Sequence, residues 1–337
     1  MPTKSVTLDE VDEGLVHALQ VDGRASFRLV GEVLGVSENT VARRYRRLRT
    51  AGLLRVAGTL DGAALGYSAW TIRLQCLPDA AAPIAGALAA RPDTSYVYLL
   101  SGGTEISCSV RTRSAEESEA LLLRTLPRTA RITAVSAHLL LAGYALPDDW
   151  AGPARLTEDQ VARLTPHHDA TEPVTPGPAD QVLLDRLAAD GRTTHAELAA
   201  ATGWSEPTVR RRLSGLRRSG LLRFLVDVPP HVLGFHAEAR LWISAQPSKL
   251  DEVASALATH PEASLVALTT GPTNLLAAVN CRDSADLARY LTRRIGSLDA
   301  IRTLETAPVI RTLKRAGTVL PIESASAQYR PVTGVQR

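Results

Sequence analysis

Five arginines occupy the seven positions from Arg43 to Arg49, and no carboxylate lies among them. On a helix, like charges three or four residues apart repel one another by a few tenths of a kcal/mol. A polyanion would relieve this repulsion, because each guanidinium can neutralise a phosphate and release its counterion. Arginine and asparagine also form bidentate hydrogen bonds with guanine and adenine edges in the major groove. The segment therefore predicts the chemistry of DNA recognition.

The arginine-rich segment occurs twice in the chain. Placing position 21 on position 189 gives the helical alignment, in which 16 of the 35 positions from 21 to 55 are identical to their counterparts. Its best-matched stretches are VDGR (21–24) with ADGR (189–192), GVSENTVARR (35–44) with GWSEPTVRRR (203–212), and the two GLLR runs (52–55 and 220–223). Placing position 102 on position 271 gives the sheet alignment, which matches GGTEI (102–106) with GPTNL (271–275). The chain therefore consists of two copies of one two-part module.

The composition fits a globular protein and excludes several other classes. The chain has 337 residues, of which 45% are hydrophobic, and its formal net charge is only +3, so the basic residues are concentrated locally. Cys76, Cys108 and Cys281 are isolated, which predicts neither a metal site nor a disulfide framework. The acidic N-terminal segment and the short apolar runs predict no signal peptide and no membrane span. We expect a cytoplasmic protein without a cofactor.

Each copy of the segment belongs to a set of three predicted helices. In the first copy, Thr7, Ser26 and Ser37 are candidate N-caps, and Gly35 makes the turn before the third helix. The second copy repeats this plan over residues 180–189, 194–202 and 205–219. A helix, a short glycine-containing turn and a second helix form the helix-turn-helix arrangement.

The third helix of each copy has an apolar face and a basic face. At 100° per residue, one apolar stripe repeats in both copies and is predicted to face the core. Its members are Val41, Tyr45 and Leu48 in the first copy and Val209, Leu213 and Leu216 in the second. The remaining faces and the capping serines supply the predicted DNA contacts. These are Ser37, Asn39, Thr40, Arg43, Arg44, Arg46, Arg47, Ser205, Thr208, Arg210, Arg211, Arg212 and Arg218.

An arginine-rich helix can also be an ordinary solvated face in a chain from a GC-rich genome. Two copies with the same apolar stripe, neither carrying an acid from the third residue of the helix through GLLR, favour DNA binding instead. The two basic faces differ, because Pro207, Ser214 and Gly215 replace an asparagine and two arginines of the first copy. We hypothesise that the second helix makes fewer base contacts, so that the half-sites bound by one chain differ.

After GLLR each copy changes from helical to alternating periodicity. The first copy predicts strands over residues 70–77, 94–100, 105–110 and 132–141, with helices over 83–90 and 114–126. The second copy predicts strands over 237–245, 264–270, 275–280 and 301–310, with helices over 250–259 and 284–295. The order βαββαβ is that of the ferredoxin-like fold, a four-stranded antiparallel sheet with two helices on one face.

The predicted fold class is α+β, with winged helix-turn-helix domains and ferredoxin-like βαββαβ sheet domains, the whole unit being duplicated. A proline-rich linker with one short predicted helix near residues 157–164 separates the copies. The predicted boundaries are 1–60 and 179–228 for the helix-turn-helix domains, 64–145 and 233–316 for the sheet domains, 146–178 for the linker and 317–337 for the tail.

The chain resembles the Lrp/AsnC family of bacterial transcription regulators. The resemblance lies in DGR (22–24), LGVSENTVARRYRRLRTAGLLR (34–55), LGY (65–67) and SGGTE (101–105), each with a counterpart in the second half. It implies a DNA-binding domain followed by a sheet domain of the RAM type that dimerises and can bind a small effector, commonly an amino acid. Typical members carry one module per chain. The tandem form implies that the two sheet domains of one chain pair, and that two chains form a homo-oligomer with four reading heads.

The resemblance also indicates two glycine turns as effector sites. Family members often carry a glycine followed three residues later by aspartate, and the equivalents here are Gly102 with Glu105 and Gly271 with Asn274. A carboxylate could pair with an effector's ammonium group, and turn amides could bind its carboxylate. The candidate effector-binding residues are Gly102, Gly103, Thr104, Glu105, Gly271, Thr273 and Asn274. A plain hairpin that needs glycine is the open alternative.

Siroheme decarboxylases share the same two-domain plan and are the alternative from another functional class. They need basic and histidine residues around a tetrapyrrole, and their strand motif resembles His-Cys-Tyr. The equivalent strand here, residues 94–98, contains no histidine, and its partner, residues 263–268, is apolar. The sequence also lacks a phosphate loop and a nucleophile elbow. It therefore predicts a regulator without catalytic residues. A protein-interaction module with a vestigial DNA head is disfavoured by the two intact basic faces.

Overall fold

The computed structural model describes residues 8–126, 129, 131–147, 150, 152, 154–166 and 174–320. They form two compact units, and each unit combines segments from both copies of the module. The helical unit contains the chain up to Ala64 and Pro147–Leu233, and the sheet unit contains Leu65–Leu146 and the chain from Gly234 onward. Within the described ranges, no helix has both the length and the apolar character needed to span a membrane.

The elements follow the predicted order in both halves of the chain. The first half contains α1 (Glu10–Val21), α2 (Phe27–Leu34), α3 (Glu38–Thr50), β1 (Arg55–Leu60), β2 (Ser68–Cys76), α4 (Ala81–Ala90), β3 (Thr94–Leu100), β4 (Glu105–Thr112), α5 (Ala115–Glu119) and β5 (Ile132–Ala145). Helix α6 (Glu158–Leu164) lies between the copies. The second half contains α7 (Gln181–Ala189), α8 (His195–Thr202), α9 (Glu206–Arg218), β6 (Leu222–Asp227), β7 (Ala237–Ala245), α10 (Leu250–Ala258), β8 (Ala263–Thr269), β9 (Leu275–Cys281), α11 (Ser284–Arg289), β10 (Ile301–Arg315) and β11 (Thr318–Val319).

Head 1 (α1 to α3) and head 2 (α7 to α9) are the two helix-turn-helix heads of the helical unit. Ser26 and Ser37 cap α2 and α3 as predicted, whereas α1 is capped by Asp9 in a reciprocal capping box with Asp12. The predicted cap Thr7 lies outside the described residues. The predicted apolar stripes of α3 and α9 are buried, which confirms how each third helix packs.

The strand that follows each head, the expected wing, pairs with its counterpart from the other head. Strands β1 and β6 form an antiparallel ladder from the pair Arg55 and Asp227 to the pair Leu60 and Leu222. A two-stranded ribbon is marginal by itself, so it depends on packing against the helices. The ladder joins the two heads within one chain.

The repeated DGR sequences form two loops that bind each other. Arg24 Nη1 donates hydrogen bonds to the carbonyl oxygens of Gly191 and Thr193 at 2.6 and 3.0 Å. Its counterpart Arg192 donates to the carbonyl oxygens of Gly23 and Ala25 at 2.8 and 3.0 Å. The exchange is reciprocal, as in an isologous interface between identical subunits. The DGR loops (22–24 and 190–192) thus lock head 1 to head 2.

Two further features explain the composition of the DGR loops. A Cβ atom on Gly23 would lie 2.7 Å from Phe224 Cβ, so the first loop has room only for glycine. Burial, with the nearby positive charges of Arg192 and Arg217, lowers the pKa of Arg24 to about 10, so this guanidinium remains charged near neutral pH. Arg217 in turn pairs with Asp22 at 2.7 Å. The aspartate therefore supplies charge across the interface.

Between the copies, the described residues 154–166 pack against head 1. The predicted helix of this segment is α6, which begins at a capping box between Thr157 and Gln160. Gln160 Nε2 donates to the Val33 carbonyl oxygen at 2.8 Å, at the end of α2. His17 Nδ1 accepts hydrogen bonds from the two backbone N–H groups of residues 155 and 156, at 2.9 and 3.0 Å. Leu156, Val161 and Leu164 join the core of the helical unit.

Both copies of the sheet domain have the predicted order βαββαβ, and their sheets merge within the chain. The strand order is β11-β10-β3-β4-β2-β5-β8-β9-β7, and β10 also pairs with β7. The first part of β5 pairs with β2 of its own copy, and its second part pairs with β8 of the other copy. Strand β10 does the same with β7 and β3. Two shared strands therefore connect the two sheet domains.

The observed sheet corrects three predicted boundaries. The fourth strands were predicted to end at Leu141 and Ile310, but they continue to Ala145 and Arg315 because their second parts pair with the other copy. The predicted tail begins inside the sheet, since Thr318 and Val319 form β11 against β10. The remainder of the predicted tail, residues 321–337, lies outside the described residues.

Substitution Arg24→Ala is expected to lower the free energy of unfolding by about 1–3 kcal/mol, because it leaves two partly buried carbonyl groups without their charged donor. Urea denaturation of the full chain measures the change. The matched control is Arg28→Ala, whose exposed pair with Glu32 at i,i+4 should contribute at most about 0.5 kcal/mol. Equal losses in the two variants would contradict the locking role of the DGR loops.

Candidate nucleic-acid interface

The third helix of each head begins at a serine cap. The Ser37 hydroxyl accepts a hydrogen bond from the Thr40 backbone N–H at 3.1 Å, and Ser205 accepts one from Thr208 at 3.3 Å. In both pairs the two hydroxyl oxygens are also 2.9 Å apart. The four residues therefore lie at the N-terminal ends of α3 and α9, where backbone N–H groups and the helix dipole favour phosphate.

The outward face of α3 presents three polar side chains without a protein partner. Asn39, Arg43 and Arg46 are exposed, and the described part of the chain provides none of them with a side-chain hydrogen bond or ion pair. They lie opposite Val41 and Leu48, which are buried. Groove binding requires this combination of free donors on one face and rigid packing on the other.

Two of the predicted DNA contacts on α3 are ion-paired with the start of α1. Arg44 Nη1 lies 3.3 Å from the Asp12 carboxylate and also bonds to Asp9, and Arg47 bonds to the same oxygen of Asp12. The Asp12 backbone N–H and the Arg44 guanidinium lower the pKa of Asp9. Asp12 itself is 0% exposed, and the two arginines offset the cost of burying its carboxylate. Arg44 and Arg47 therefore hold α3 against α1, while the Arg47 side chain stays 44% exposed.

Head 2 repeats this contact with a different neighbour. Arg212 donates to Asp180, the counterpart of Asp12, at 2.6 Å and to the Thr175 carbonyl oxygen at 2.9 Å. The hydrogen bond from Arg212 lowers the pKa of Asp180. Gly215 replaces an arginine at this flank, and a Cβ atom on it would lie 3.4 Å from Val174 Cγ2. The segment before α7 therefore covers the place where head 1 carries Arg47.

Three other arginines of head 2 remain available. Arg210, Arg211 and Arg218 are exposed, and no partner for their side chains exists among the residues that the structure describes. Helix α9 thus has three free arginines, whereas α3 has two. The hypothesis that the second helix makes fewer base contacts is based on the replacement of two arginines of α3 by Ser214 and Gly215 in α9. The number of free guanidinium groups does not support it.

The aspartates that bind some of these arginines and leave the others free were not identified from the sequence. Asp12 and Asp180 are counterparts in the helical alignment, and this repeat was the available signal. Two more arginines of the third helices are bound across the heads, because Arg49 lies 2.7 Å from Asp190 and Arg217 lies 2.7 Å from Asp22. No local pattern reveals that cross-pairing.

The first glycine turn, residues 101–105, connects β3 to β4 beside a charged cluster. Gly102 and Gly103 have φ angles of 79° and 87°, and a Cβ atom on either would meet no other atom within 4 Å. The Glu105 side chain is 3% exposed, and its Oε1 accepts from Arg73 Nε at 2.7 Å. The other oxygen, Oε2, has no hydrogen-bond partner within the described ranges. Arg73 also bonds to Glu305 at 3.0 Å.

The second glycine turn, residues 270–274, has a different environment. Gly271 lies against the ring of His138, and its φ is 104°. The side-chain amide of Asn274, the counterpart of Glu105, bonds to both the N–H and the carbonyl oxygen of Ala245 at 2.9 Å. The candidate effector residues Thr104 and Thr273 each contribute a backbone hydrogen bond to their turn. The Thr104 carbonyl oxygen accepts from the Cys76 N–H, and the Thr273 carbonyl oxygen accepts from Thr269 Oγ1. The two turns are therefore not equivalent.

The comparisons with known proteins identify both kinds of domain. The profile of the AsnC-type helix-turn-helix domain matches residues 8–49 and 179–217, and that of the Lrp/AsnC ligand binding domain matches residues 238–319. An uncharacterized HTH-type transcriptional regulator of Pyrococcus abyssi is 31% identical over 139 residues, which are 41% of this chain and 87% of the relative. The HTH-type transcriptional regulator FL11 of Pyrococcus furiosus is 30% identical over 145 residues, 43% of this chain and 95% of the relative.

One solved structure resembles nearly the whole tandem chain. The siroheme decarboxylase NirDL has a TM-score of 0.61 at 16% identity, and the match covers 91% of this chain and 93% of that one. At this identity the similarity concerns the fold. It shows that a chain with two such modules forms a recurring architecture.

Substitutions Arg44→Ala and Arg43→Ala are expected to separate helix positioning from DNA contact. Loss of Arg44 removes a charged donor from the buried carboxylate of Asp12, which should lower the free energy of unfolding by about 1–3 kcal/mol. Arg43 is exposed and has no side-chain hydrogen bond or ion pair among the described residues, so its loss should change stability by less than about 0.5 kcal/mol. Urea denaturation of the two variants compares them directly. The assignment is wrong if Arg43→Ala destabilises the chain as much as Arg44→Ala.

Proposed function

Because the chain belongs to the Lrp/AsnC family of transcriptional regulators, we propose that it binds a specific operator through α3 and α9 of one chain, under the control of a small amino-acid-like effector. The observation that carries this proposal is the pair of third helices with free arginines, held together by the DGR loops and the ladder between β1 and β6. In a dimer of one-module chains, the two heads would belong to separate subunits. Here both heads belong to one covalent chain.

The two heads are proposed to read different half-sites. Of the predicted DNA contacts, only Arg43 and its counterpart Arg211 are free at equivalent positions among the described residues. Head 1 adds Asn39 and Arg46, whereas head 2 adds Arg210 and Arg218. Bidentate contacts from arginine and asparagine favour guanine and adenine respectively, so helices with different free side chains select different sequences. The operator of one chain is therefore asymmetric.

The first glycine turn is the proposed effector site. One guanidinium, that of Arg73, faces two carboxylates, those of Glu105 and Glu305, so the cluster carries a net negative charge. Oε2 of Glu105 is available to an ammonium group, and the open turn at Gly102 and Gly103 offers backbone N–H groups to a carboxylate. An α-amino acid carries both groups. A hairpin without ligand remains the competing explanation of the turn.

We propose that the chain is not an enzyme. The similarity to NirDL extends to the fold, whereas β3 contains no histidine at the strand motif and carries the stacked rings of Tyr96 and Tyr98 instead. Addition of siroheme to the purified chain should give no Soret band above that of the free cofactor. A stoichiometric band that shifts on binding would favour the decarboxylase alternative.

Further assembly through the sheet unit is also part of the proposal. Pairing of the two sheet domains already occurs within the chain, so a homo-oligomer of two chains would carry four heads in two operator-binding pairs. Light scattering at several protein concentrations tests this arrangement.

Substitution Arg43→Ala is expected to weaken binding to the selected operator by about 1–3 kcal/mol if Arg43 reads a base. If Arg43 contacts phosphate, affinity should fall equally for all DNA sequences. The slope of log affinity against log salt concentration should then decrease in magnitude by about one. Fluorescence anisotropy on operator and random duplex, with salt titration, distinguishes these results. Arg211→Ala tests the equivalent place in head 2.

The control for both variants is Arg124→Ala, which removes an exposed arginine paired with Glu119 in the sheet unit. It should leave DNA binding unchanged. Retention of full affinity by the Arg43→Ala and Arg211→Ala double variant at low and high salt would rule out α3 and α9 as the DNA-binding helices.

Substitution Glu105→Gln is expected to abolish any effect of an amino acid on operator affinity, because it removes the charge that binds the ammonium group. The measurement is operator binding with and without each member of an amino-acid panel, for the native chain and the variant. Basal operator affinity should stay the same in the variant. An undiminished response of Glu105→Gln would exclude this carboxylate as the effector's partner.

A further inference from the structure

We propose that each chain holds one effector site and not two, because the ring of His138 closes the second glycine turn. This inference rests on the proposed effector function of the first turn and assigns His138 a role in setting the binding stoichiometry. It concerns a difference between the copies that the sequence repeat alone does not explain.

The two turns occupy equivalent places in the sheet unit. Val309 of β10 pairs with Leu100, directly before the first turn, and Leu140 of β5 pairs with Thr269, directly before the second. Val309 and Leu140 are counterparts in the sheet alignment, and so are Leu100 and Thr269. The residues that surround one turn can therefore be compared one by one with those that surround the other.

His138 lies directly on the second turn. A Cβ atom on Gly271 would be 2.3 Å from His138 Nδ1, so ring and glycine are in van der Waals contact. His138 is 7% exposed, and its Nδ1 lies 2.7 Å from the Thr270 carbonyl oxygen, to which it donates a hydrogen bond. Two more hydrogen bonds join Leu139 to Thr270, from its N–H to the hydroxyl at 2.9 Å and from the Thr270 N–H to its carbonyl at 3.0 Å. The ring is held in place.

The equivalent position at the first turn is Ala307. Ala307 carries only a methyl group, which packs in the core with Tyr98 and Leu100, so this position places no ring on the first turn. A Cβ atom on Gly102 would meet no atom within 4 Å. A ligand can therefore approach the backbone of the first turn. At the second turn it would have to displace His138 and break the hydrogen bond to Thr270.

The charges around the turns differ in the same sense. In the sheet alignment Glu105 is replaced by Asn274, whose amide is fully used by the Ala245 backbone. The same alignment replaces Arg73 by Trp242 and relates Glu305 to Ser136. At the equivalent described positions, the second turn thus has neither the two carboxylates nor the free oxygen that would bind an ammonium group. The steric block by His138 and the difference in charge both favour binding of a zwitterion at the first turn only.

Isothermal titration calorimetry on the full native chain tests the inference, with the amino acid of the panel that changes operator affinity as the probe. We expect one equivalent bound per chain, and a loss of binding of about tenfold or more in Glu105→Gln. Two equivalents of similar affinity in the native chain would overturn the inference and leave the proposed function intact. No heat from any member of the panel would overturn both.

An exchange of the closing residue gives the second test. Ala307→His should close the first turn and abolish binding, and the double variant His138→Ala, Asn274→Asp should open and charge the second turn so that about two equivalents bind. Urea denaturation establishes that each variant is folded, and Ala307→Val is the size control that adds bulk without a ring. Unchanged binding by a folded Ala307→His variant would overturn the role assigned to His138.

Discussion

The reciprocal contact of the DGR loops is the constraint on which the helical unit depends. Each loop places an arginine on the backbone carbonyls of the other loop, and each aspartate pairs with an arginine of the other head. A carbonyl oxygen cannot move away from such a contact without leaving a buried guanidinium unsatisfied. Because the exchange is symmetric, it fixes both heads at once. The direction in which α3 and α9 point follows from it.

Covalent connection changes what this interface can become. In a dimer of identical chains, a substitution in one head occurs in both, and an isologous interface keeps them equivalent. In a tandem chain the partner is always present at a high effective concentration, so pairing survives differences between the copies. The helical unit keeps its locking residues in both copies and varies its outward faces. The sheet unit keeps its shared strands and varies its turns.

Sequence periodicity predicted what is local. The serine caps, the buried stripes through Val41 and Val209 and the order βαββαβ all follow from spacings of two to four residues, and the structure confirms them. The repeat also identified equivalent positions correctly. It could not say which positions touch, because residues in equivalent places need not be neighbours. Arg24 contacts Gly191, and Arg73 lies over the ring of Trp242, its own counterpart in the sheet alignment.

The same limit explains the candidate site. The arginines of α3 are one cluster in sequence, but the structure divides them by partners that lie far away in the chain. The division also explains why so many arginines are tolerated on one helix. Asp9, Asp12 and Asp190 take up the charges of Arg44, Arg47 and Arg49.

Helix α3 is therefore left with two guanidinium groups, those of Arg43 and Arg46, that no described carboxylate compensates, and both lie on the outward face. Like-charge repulsion along α3 falls to a single pair at i,i+3, which costs a few tenths of a kcal/mol and is small beside the burial of Val41, Tyr45 and Leu48. The aspartates that steady the helix thus also determine where its positive charge remains. Removing these aspartates would not add DNA-contacting arginines, because the released arginines lie on the flank that packs against α1 and the other head. The basic face is defined by what the rest of the fold neutralises.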